Sequence, residues 1–160
     1  MSVTDPATGK TRFAIVPAAY VFLVRDGLHG TEVLLQLRQN TGYMDGRWAA
    51  AAAGHIEAGE TATEAAAREA AEEIGVSDLA LEFATAMQRT AHNLPIDERI
   101  DFFFVARSWM GDPRIVESTK CADLAWWPLV ALPDPLVPHE GQVLRGIRDG
   151  DLAPLTTFGF

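Results

Sequence analysis

The sequence predicts an α/β protein in which a mixed β-sheet lies between helices. Three observations lead to this class. Segments rich in β-branched and aromatic residues lie before one strongly helical segment, residues 61–74. Further strand-like segments follow that helix, and a second helical segment, residues 139–148, follows the last of them. Because strands stand on both sides of a helix and a helix ends the pattern, helices are expected on the faces of one sheet.

The predicted strands are short and are separated by turn-forming residues. The first is interrupted by Pro17, which is typical of an edge or bulged strand. A turn at residues 26–30 joins it to the second strand as a hairpin, and residues 40–46 form a loop rich in turn formers. The predicted strands are, in chain order, residues 13–24, 31–37, 47–53, 79–90, 99–109 and 124–129.

Both predicted helices have local signals of their own. Thr61 and Glu64 match a capping box that opens the first helix, which continues to about Ile74. Gly75 then stands where a helix needs a left-handed C-terminal residue. In the second helix, apolar residues recur at the spacing of one helical face, namely Val143, Leu144 and Ile147.

The length of the chain predicts one domain. Residues 1–11 are polar, with turn formers such as Pro6 and Gly9, so we expect a flexible N-terminus. Residues 12–160 are predicted to form a single domain, because a chain of 160 residues is long enough for one core.

Composition and charge exclude several classes of partner. The net charge of −9 argues against nonspecific binding to nucleic acid or to an anionic membrane. No stretch of 18 apolar residues could span a bilayer, and no signal segment opens the chain. The single cysteine, Cys121, excludes an internal disulfide, has no flanking base and suits a reducing compartment. We therefore expect a cytoplasmic protein with a small-molecule partner, as monomer or homodimer.

The most informative feature of the chain is a cluster of acids on the first helix. Glu69, Glu72 and Glu73 stand at positions i, i+3 and i+4, which places them on roughly one side of the helix, with Arg68 and Glu60 nearby. Such carboxylates repel one another unless a cation neutralises them. A hard divalent cation such as Mg²⁺ takes oxygen ligands and keeps positions open for substrate phosphates.

These residues resemble the signature of the Nudix hydrolase family, G-x5-E-x7-R-E-U-x-E-E-x-G-U, in which U is a bulky apolar residue. The seven fixed identities are all present, at Gly54, Glu60, Arg68, Glu69, Glu72, Glu73 and Gly75. At roughly 7% per residue type, seven matches at fixed spacing arise by chance about once in 10⁸ windows. Two departures are a smaller residue, Ala70, at an apolar position, and an alanine run, residues 49–53, before the signature.

The resemblance implies a Nudix-type α/β/α sandwich and a metal-dependent hydrolase. Family members hold activating Mg²⁺ or Mn²⁺ at the positions of Glu69, Glu72 and Glu73, and Glu60 is a further candidate ligand. Arg68 is expected to orient Glu60 or another ligand through a salt bridge. Members often supply another carboxylate from outside the signature, as general base or as an additional metal ligand, and Glu98 is the first choice for it.

Four further ionisable residues are expected near the site. Asp97 and Asp101 stand next to Glu98 and are expected to be solvated. Arg38 ends an apolar strand, and a basic residue near this point often contacts substrate phosphate in the family. His55 follows the signature glycine and is expected to be a surface or hydrogen-bonded histidine.

Two adjacent tryptophans are candidates for stacking on a nucleobase. Trp126 and Trp127 lie on one predicted strand, so their rings must point to opposite faces of the sheet. One ring could stack on a base while the other packs in the core.

The resemblance leaves the substrate open between a nucleoside triphosphate, a nucleotide sugar and a dinucleoside polyphosphate. A non-catalytic nucleotide sensor on the same fold is an alternative, which the intact acidic cluster disfavours. An isopentenyl diphosphate isomerase is a second alternative, disfavoured because that chemistry needs a cysteine in the site.

Overall fold

The computed structural model describes residues 1–160 and has two helices among ten strands. Two short 3₁₀ turns lie at Pro95–Asp97 and Leu129–Ala131. The strands are β1 (Ser2–Thr4), β2 (Thr11–Phe13), β3 (Val16–Gly27), β4 (Gly30–Arg38), β5 (Trp48–Ala50), β6 (Ala52–His55), β7 (Leu81–Arg89), β8 (Arg99–Ala106), β9 (Cys121–Pro128) and β10 (Leu155–Phe158). The helices are α1 (Ala62–Ile74) and α2 (Pro138–Asp149).

Eight strands form one mixed sheet. Its main order is β10-β7-β8-β3-β4-β5, while β6 pairs with β3 and β9 pairs with β4. The β3–β8 and β10–β7 pairs are parallel, and the other pairs within this sheet are antiparallel. The predicted mixed sheet is therefore confirmed.

The first long strand has a different place in the sheet from the one expected. We predicted an edge or bulged strand because of Pro17, but β3 lies inside the sheet, between β8 on one side and β6 and β4 on the other. Pro17 is tolerated because it is the second residue of the strand, where a missing N–H donor interrupts little of the sheet. Its carbonyl oxygen still accepts a hydrogen bond from Ile56 N at 3.1 Å. The prediction was wrong because a single proline near a strand end does not exclude pairing on both sides.

The two helices cover opposite faces of the sheet. On one face α1 presents its alanines and Ile74 to Ala19, Val21 and Leu23 of β3. On the other face α2 presents Val143 and Leu144 to the alternate residues of β3, which include Phe22. This alternation follows from the two-residue period of a strand, and the three layers are the expected α/β/α sandwich.

The predicted ends of α1 are confirmed. Thr61 accepts a hydrogen bond from Glu64 N at 3.2 Å, and the Glu64 carboxylate accepts one from Thr61 N at 2.8 Å, which completes the capping box. At the other end Gly75 is left-handed, with φ of 69°. Because these caps are local, α1 begins and ends where its own sequence predicts.

The two chain ends form structure that the sequence did not predict. Strands β1 and β2 pair as an exposed antiparallel hairpin within the segment expected to be flexible, and the flexibility of residues 1–11 stays a prediction. Strand β10 adds to the edge of the sheet by pairing with β7. It has only four residues, which is too short a segment for the sequence pattern to identify as a strand. No helix of the structure is long and apolar enough to cross a membrane.

Candidate active site

Arg68 is the centre of an ion-pair network on α1. Its guanidinium donates from Nε to Glu60 Oε1 at 2.8 Å and from Nη2 to Glu60 Oε2 at 3.0 Å. Its Nη1 lies 2.6 Å from Glu69 Oε1 and 3.5 Å from Glu72 Oε2, while Nη2 also donates to His55 O. The Arg68 hydrogen bonds lower the pKa of Glu60 to about 2. The sequence-based expectation that Arg68 pairs with Glu60 thus agrees with the geometry.

Glu73 faces the sheet and is separate from this network. Its Oε2 accepts a hydrogen bond from Gln36 Nε2 at 2.8 Å, and its Oε1 accepts one from Ala53 N at 3.3 Å. Burial raises the pKa of this carboxyl to about 8, although both hydrogen bonds act in the opposite direction. Because burial disfavours the charged form, this carboxyl is stabilised either by a nearby cation or by taking up a proton.

The signature glycine lies where β6 approaches α1. A Cβ added to Gly54 would overlap the Glu69 carboxylate, so glycine lets this side chain keep its present position against the strand. The alanine run before it has a similar effect, since residues 49–52 are buried and bring β5 and β6 close to neighbouring layers. Small side chains therefore allow the acidic helix to lie directly against the strand that carries the signature glycine.

The acids fit a hard divalent cation by their chemistry. Glu60, Glu69, Glu72 and Glu73 offer only carboxylate oxygens, which Mg²⁺ and Mn²⁺ prefer, and Gly54 makes room for one of them. No group of three or more His, Cys, Asp or Glu side chains lies in an arrangement that could hold a metal ion. The carboxylates are instead held by Arg68 and Gln36, and their role as ligands stays a prediction.

A cavity of about 470 Å³ opens beside this region. Gly54 and His55 line it, so it begins at the end of β6 that contacts α1. Apolar walls come from the sheet and from the loop before β8, where Leu94 and Ile96 are exposed. Its polar lining includes Arg38, Arg89, Arg99, Asp97, His139 and Glu140.

Two of the cavity arginines share one buried carboxylate. Arg89 Nε donates to Asp101 Oδ2 at 2.8 Å, and Arg99 Nε lies 3.5 Å from Asp101 Oδ1. Arg89 also donates to the Tyr43 hydroxyl at 3.2 Å, and Arg99 Nη1 lies 3.0 Å from His55 Nε2. Desolvation and the nearby Arg99 lower the pKa of His55, so this ring is available as a neutral hydrogen-bond acceptor.

Asp101 corrects one expectation from the sequence. We expected it to be solvated, but it is fully buried beneath the two guanidiniums. The sequence does contain a signal for this burial. Asp101 stands two residues before Phe103 in an apolar strand, and because side chains alternate along a strand, the two share its buried face. An acid on that face of a strand predicts a buried ion pair better than a solvated loop residue.

Two residues of α2 that the sequence did not indicate also line the cavity. His139 and Glu140 are only 2% and 3% exposed. Glu140 Oε1 accepts a hydrogen bond from Ala50 N at 2.8 Å, and burial raises its pKa to about 7. Burial also lowers the pKa of His139 well below its usual value. No local pattern separates these two side chains from exposed residues in the first turn of a helix.

Arg38 and Glu98, which we predicted from the sequence, have different places relative to the cavity. Arg38 lines it, and its Nε and Nη2 also donate to Tyr43 O and to Thr41 Oγ1, so it holds the loop that follows β4. Glu98 does not line the cavity; its carboxylate accepts a hydrogen bond from Thr90 Oγ1 at 2.7 Å. Its neighbours on both sides along the chain do line it.

The two tryptophans lie away from the cavity. Trp126 belongs to the α1 face, where it stacks on Trp109 with ring centroids 6.0 Å apart, and Arg25 lies 4.1 Å from its centroid. Trp127 belongs to the α2 face and packs edge-on against Trp48 at 5.1 Å. The rings do point to opposite faces, but neither lines the cavity, so the cavity does not support base stacking, which stays a prediction.

Comparison with known proteins identifies the family. A family model described as NUDIX domain matches residues 14–147, most of the chain. This chain belongs to the NUDIX family, and it is a hydrolase of that family, whose members act on nucleoside diphosphate derivatives. No curated protein matches the chain.

Solved structures have the same fold. The MutT NUDIX hydrolase from Burkholderia pseudomallei is 23% identical, with a TM-score of 0.73, and the match covers 82% of this chain and 97% of that one. The NUDIX domain of Shewanella oneidensis NrtR, complexed with ADP ribose, is 20% identical with a TM-score of 0.69 over 91% of this chain and 92% of that one. A C. elegans Ap4A hydrolase is 19% identical with a TM-score of 0.61 over 83% and 96% of the two chains.

Proposed function

We propose that this protein hydrolyses a phosphoanhydride bond in a nucleoside triphosphate or a nucleotide sugar, with Mg²⁺ or Mn²⁺ as cofactor. One observation carries the proposal: the cavity begins at Gly54 and His55, directly beside the helix that bears Glu69. A substrate can therefore place its diphosphate at the acidic helix and the group attached to it in the cavity.

The acids would hold the cation, and the other residues would position it and the substrate. Glu69, Glu72 and Glu73 would be ligands, with Glu60 as a further one, and the bound cation would neutralise phosphate charge and activate water. Arg68 keeps Glu60 and Glu69 oriented. Arg38 and Arg99 line the cavity with guanidinium groups that suit phosphate oxygens.

Glu98 remains the proposed acceptor of the proton from the attacking water. Thr90 donates to its Oε1, which leaves Oε2 free of a protein partner. Asp97 and Arg99, its neighbours, line the cavity, so a small shift of this loop would bring the carboxylate to the substrate.

The cavity suits a nucleoside. Its volume of about 470 Å³ falls within the range typical of small-molecule sites. The exposed side chains of Tyr43, Leu94 and Ile96 can cover a flat base, while His139 and Glu140 offer polar groups for its edge. Relatives of the same fold are a domain complexed with ADP ribose, an Ap4A hydrolase and a UDP-X diphosphatase.

A substrate panel tests the proposal. Nucleoside triphosphates, nucleotide sugars and dinucleoside polyphosphates would be incubated with the protein and Mg²⁺ or Mn²⁺ in ¹⁸O-labelled water. Phosphorus NMR and mass spectrometry would then show which bond breaks and which phosphorus gains the label. We expect turnover that chelation abolishes. A folded protein that binds a nucleotide without cleaving any member of the panel would contradict the proposal and favour a sensor.

A further inference from the structure

Gln36 is a buried polar residue in the middle of an apolar strand. It is 8% exposed, and its neighbours Leu34 and Leu35 on β4 are 2% and 0% exposed. Since side chains alternate along a strand, Gln36 shares a face with Leu34, which packs towards α1. An amide in such a place costs stability unless its hydrogen bonds are made.

Both amide hydrogens of Gln36 have acceptors. Nε2 donates to Ala50 O at 3.0 Å and to Glu73 Oε2 at 2.8 Å. The first bond ties the amide to the backbone of β5, and the second ties it to the carboxylate on α1. Gln36 thus joins the rigid sheet to one particular acid of the helix.

Glu73 is held from two sides as a result. Gln36 contacts one oxygen, and Ala53 N contacts the other. A carboxylate oxygen offers two acceptor positions, so each oxygen keeps one for a cation. The other acids of the cluster are held differently, since Arg68 contacts Glu60, Glu69 and Glu72 but not Glu73.

We propose that Gln36 is a positioning residue, which fixes the Glu73 carboxylate for divalent cation binding through its amide. This inference rests on the proposed role of Glu73 as a ligand. It assigns the amide a function that an apolar residue of the same size would lack. The alanine run contributes here as well, because Ala50 and Ala53 supply the two backbone groups that complete the arrangement.

The test compares two methionine substitutions on the same face of β4. Gln36→Met keeps the length of the side chain and removes both hydrogen bonds, whereas Leu34→Met changes a neighbour that does not contact Glu73. Binding of Mn²⁺ alone would be measured by calorimetry without substrate. Loss of such a supporting hydrogen bond typically weakens metal binding ~10–100-fold, and we expect this for Gln36→Met, with Leu34→Met near the wild type.

A double-variant cycle separates positioning from a structural role. If Gln36 acts through Glu73, adding Gln36→Met to Glu73→Gln should weaken Mn²⁺ binding no further than Glu73→Gln does alone. Melting temperatures without metal would be measured first. Should Gln36→Met not fold, Gln36→Asn keeps an amide that is one methylene too short to bridge, and it is expected to weaken Mn²⁺ binding as well.

Failure of the positioning role can be distinguished from failure of the proposed function. Wild-type affinity in the Gln36 variants, or additive effects in the double variant, would overturn the positioning role alone. A wild-type protein that binds neither Mn²⁺ nor Mg²⁺ would overturn the metal-dependent function and this inference together.

Discussion

Glu73 differs from Glu69 and Glu72 because its carboxylate faces the sheet and has no arginine partner. Gln36 and Ala53 donate hydrogen bonds to it, and burial raises its pKa. Burial disfavours the charged form of this carboxyl, and a cation bound nearby would favour it.

We expect Glu73→Gln to lower kcat about 10²-fold or more, because loss of a charged ligand removes stabilisation of the transition state. The size of the side chain is unchanged, so the far-ultraviolet circular dichroism spectrum should stay as in the wild type. Glu82→Gln is the matched control, since Glu82 is exposed on β7 and pairs only with Arg107. Full activity of folded Glu73→Gln at saturating Mg²⁺ would show that Glu73 is not a ligand.

The tryptophans give a second prediction for individual residues. Because Trp127 packs against Trp48 in the core and neither Trp126 nor Trp127 lines the cavity, replacement by alanine should affect stability. We expect Trp127→Ala to reduce the free energy of unfolding by about 2–4 kcal/mol, with KM for nucleotides unchanged. Denaturant unfolding and steady-state kinetics measure the two quantities. A raised KM in either variant, without loss of stability, would support the stacking hypothesis.

At the scale of elements, α1 combines local and tertiary determinants. Its capping box and left-handed Gly75 define where it begins and ends. Its contact with the sheet depends on alanines on the helix and on the absence of a side chain at Gly54. The helix therefore forms locally. Its acids do not line the cavity, but Glu69 lies against Gly54, which does, because β6 packs closely against α1.

Removal of the cap should weaken this element measurably. We expect Thr61→Ala to reduce the free energy of unfolding by about 1 kcal/mol, because the Glu64 backbone N–H loses its acceptor, Thr61 Oγ1. Thr63→Ala alters the same turn but leaves the Thr61–Glu64 bonds in place, so it serves as the control. Equal melting temperatures for the two variants would mean that packing alone determines the stability of α1.

At the scale of the whole molecule, buried ionisable groups make stability depend on pH. Glu140 has a pKa raised by burial to about 7, from an ordinary value of 4.5. Between these values the unfolded chain is ionised here while the folded protein retains the proton. Unfolding then releases a proton, so the contribution of Glu140 to stability falls as pH rises through this interval. His139 acts in the opposite direction, since its lowered pKa reduces stability as pH falls below 6.5.

The substitution Glu140→Gln isolates the contribution of Glu140 to the pH dependence of stability. The amide oxygen can still accept from Ala50 N, but the side chain does not ionise. We expect similar stabilities for variant and wild type at pH 4.5, and a variant more stable by ~3 kcal/mol above pH 7. Urea unfolding across this range measures the difference. A gap between the two proteins that does not change with pH would contradict the raised pKa.

Local patterns were sufficient for much of the fold and for the acidic cluster. The i, i+3, i+4 acids and the caps of α1 involve neighbours in the chain, so the sequence alone predicts them and the family they resemble. The alternation of apolar residues likewise predicts most strands of the sheet. It does not predict the order of strands, and β3 was misplaced because pairing partners come from distant parts of the chain.

The sequence by itself determined that this is a NUDIX-type α/β protein with its acids on one helix. Only the tertiary structure decided what lies around them. Glu140 reaches Ala50 and Gln36 reaches Glu73, each across a separation that no local pattern encodes. Asp101 likewise takes Arg89 of the neighbouring strand as its partner. The physical reason is that burial and hydrogen-bond partners depend on which elements pack together, and packing is a property of the whole chain.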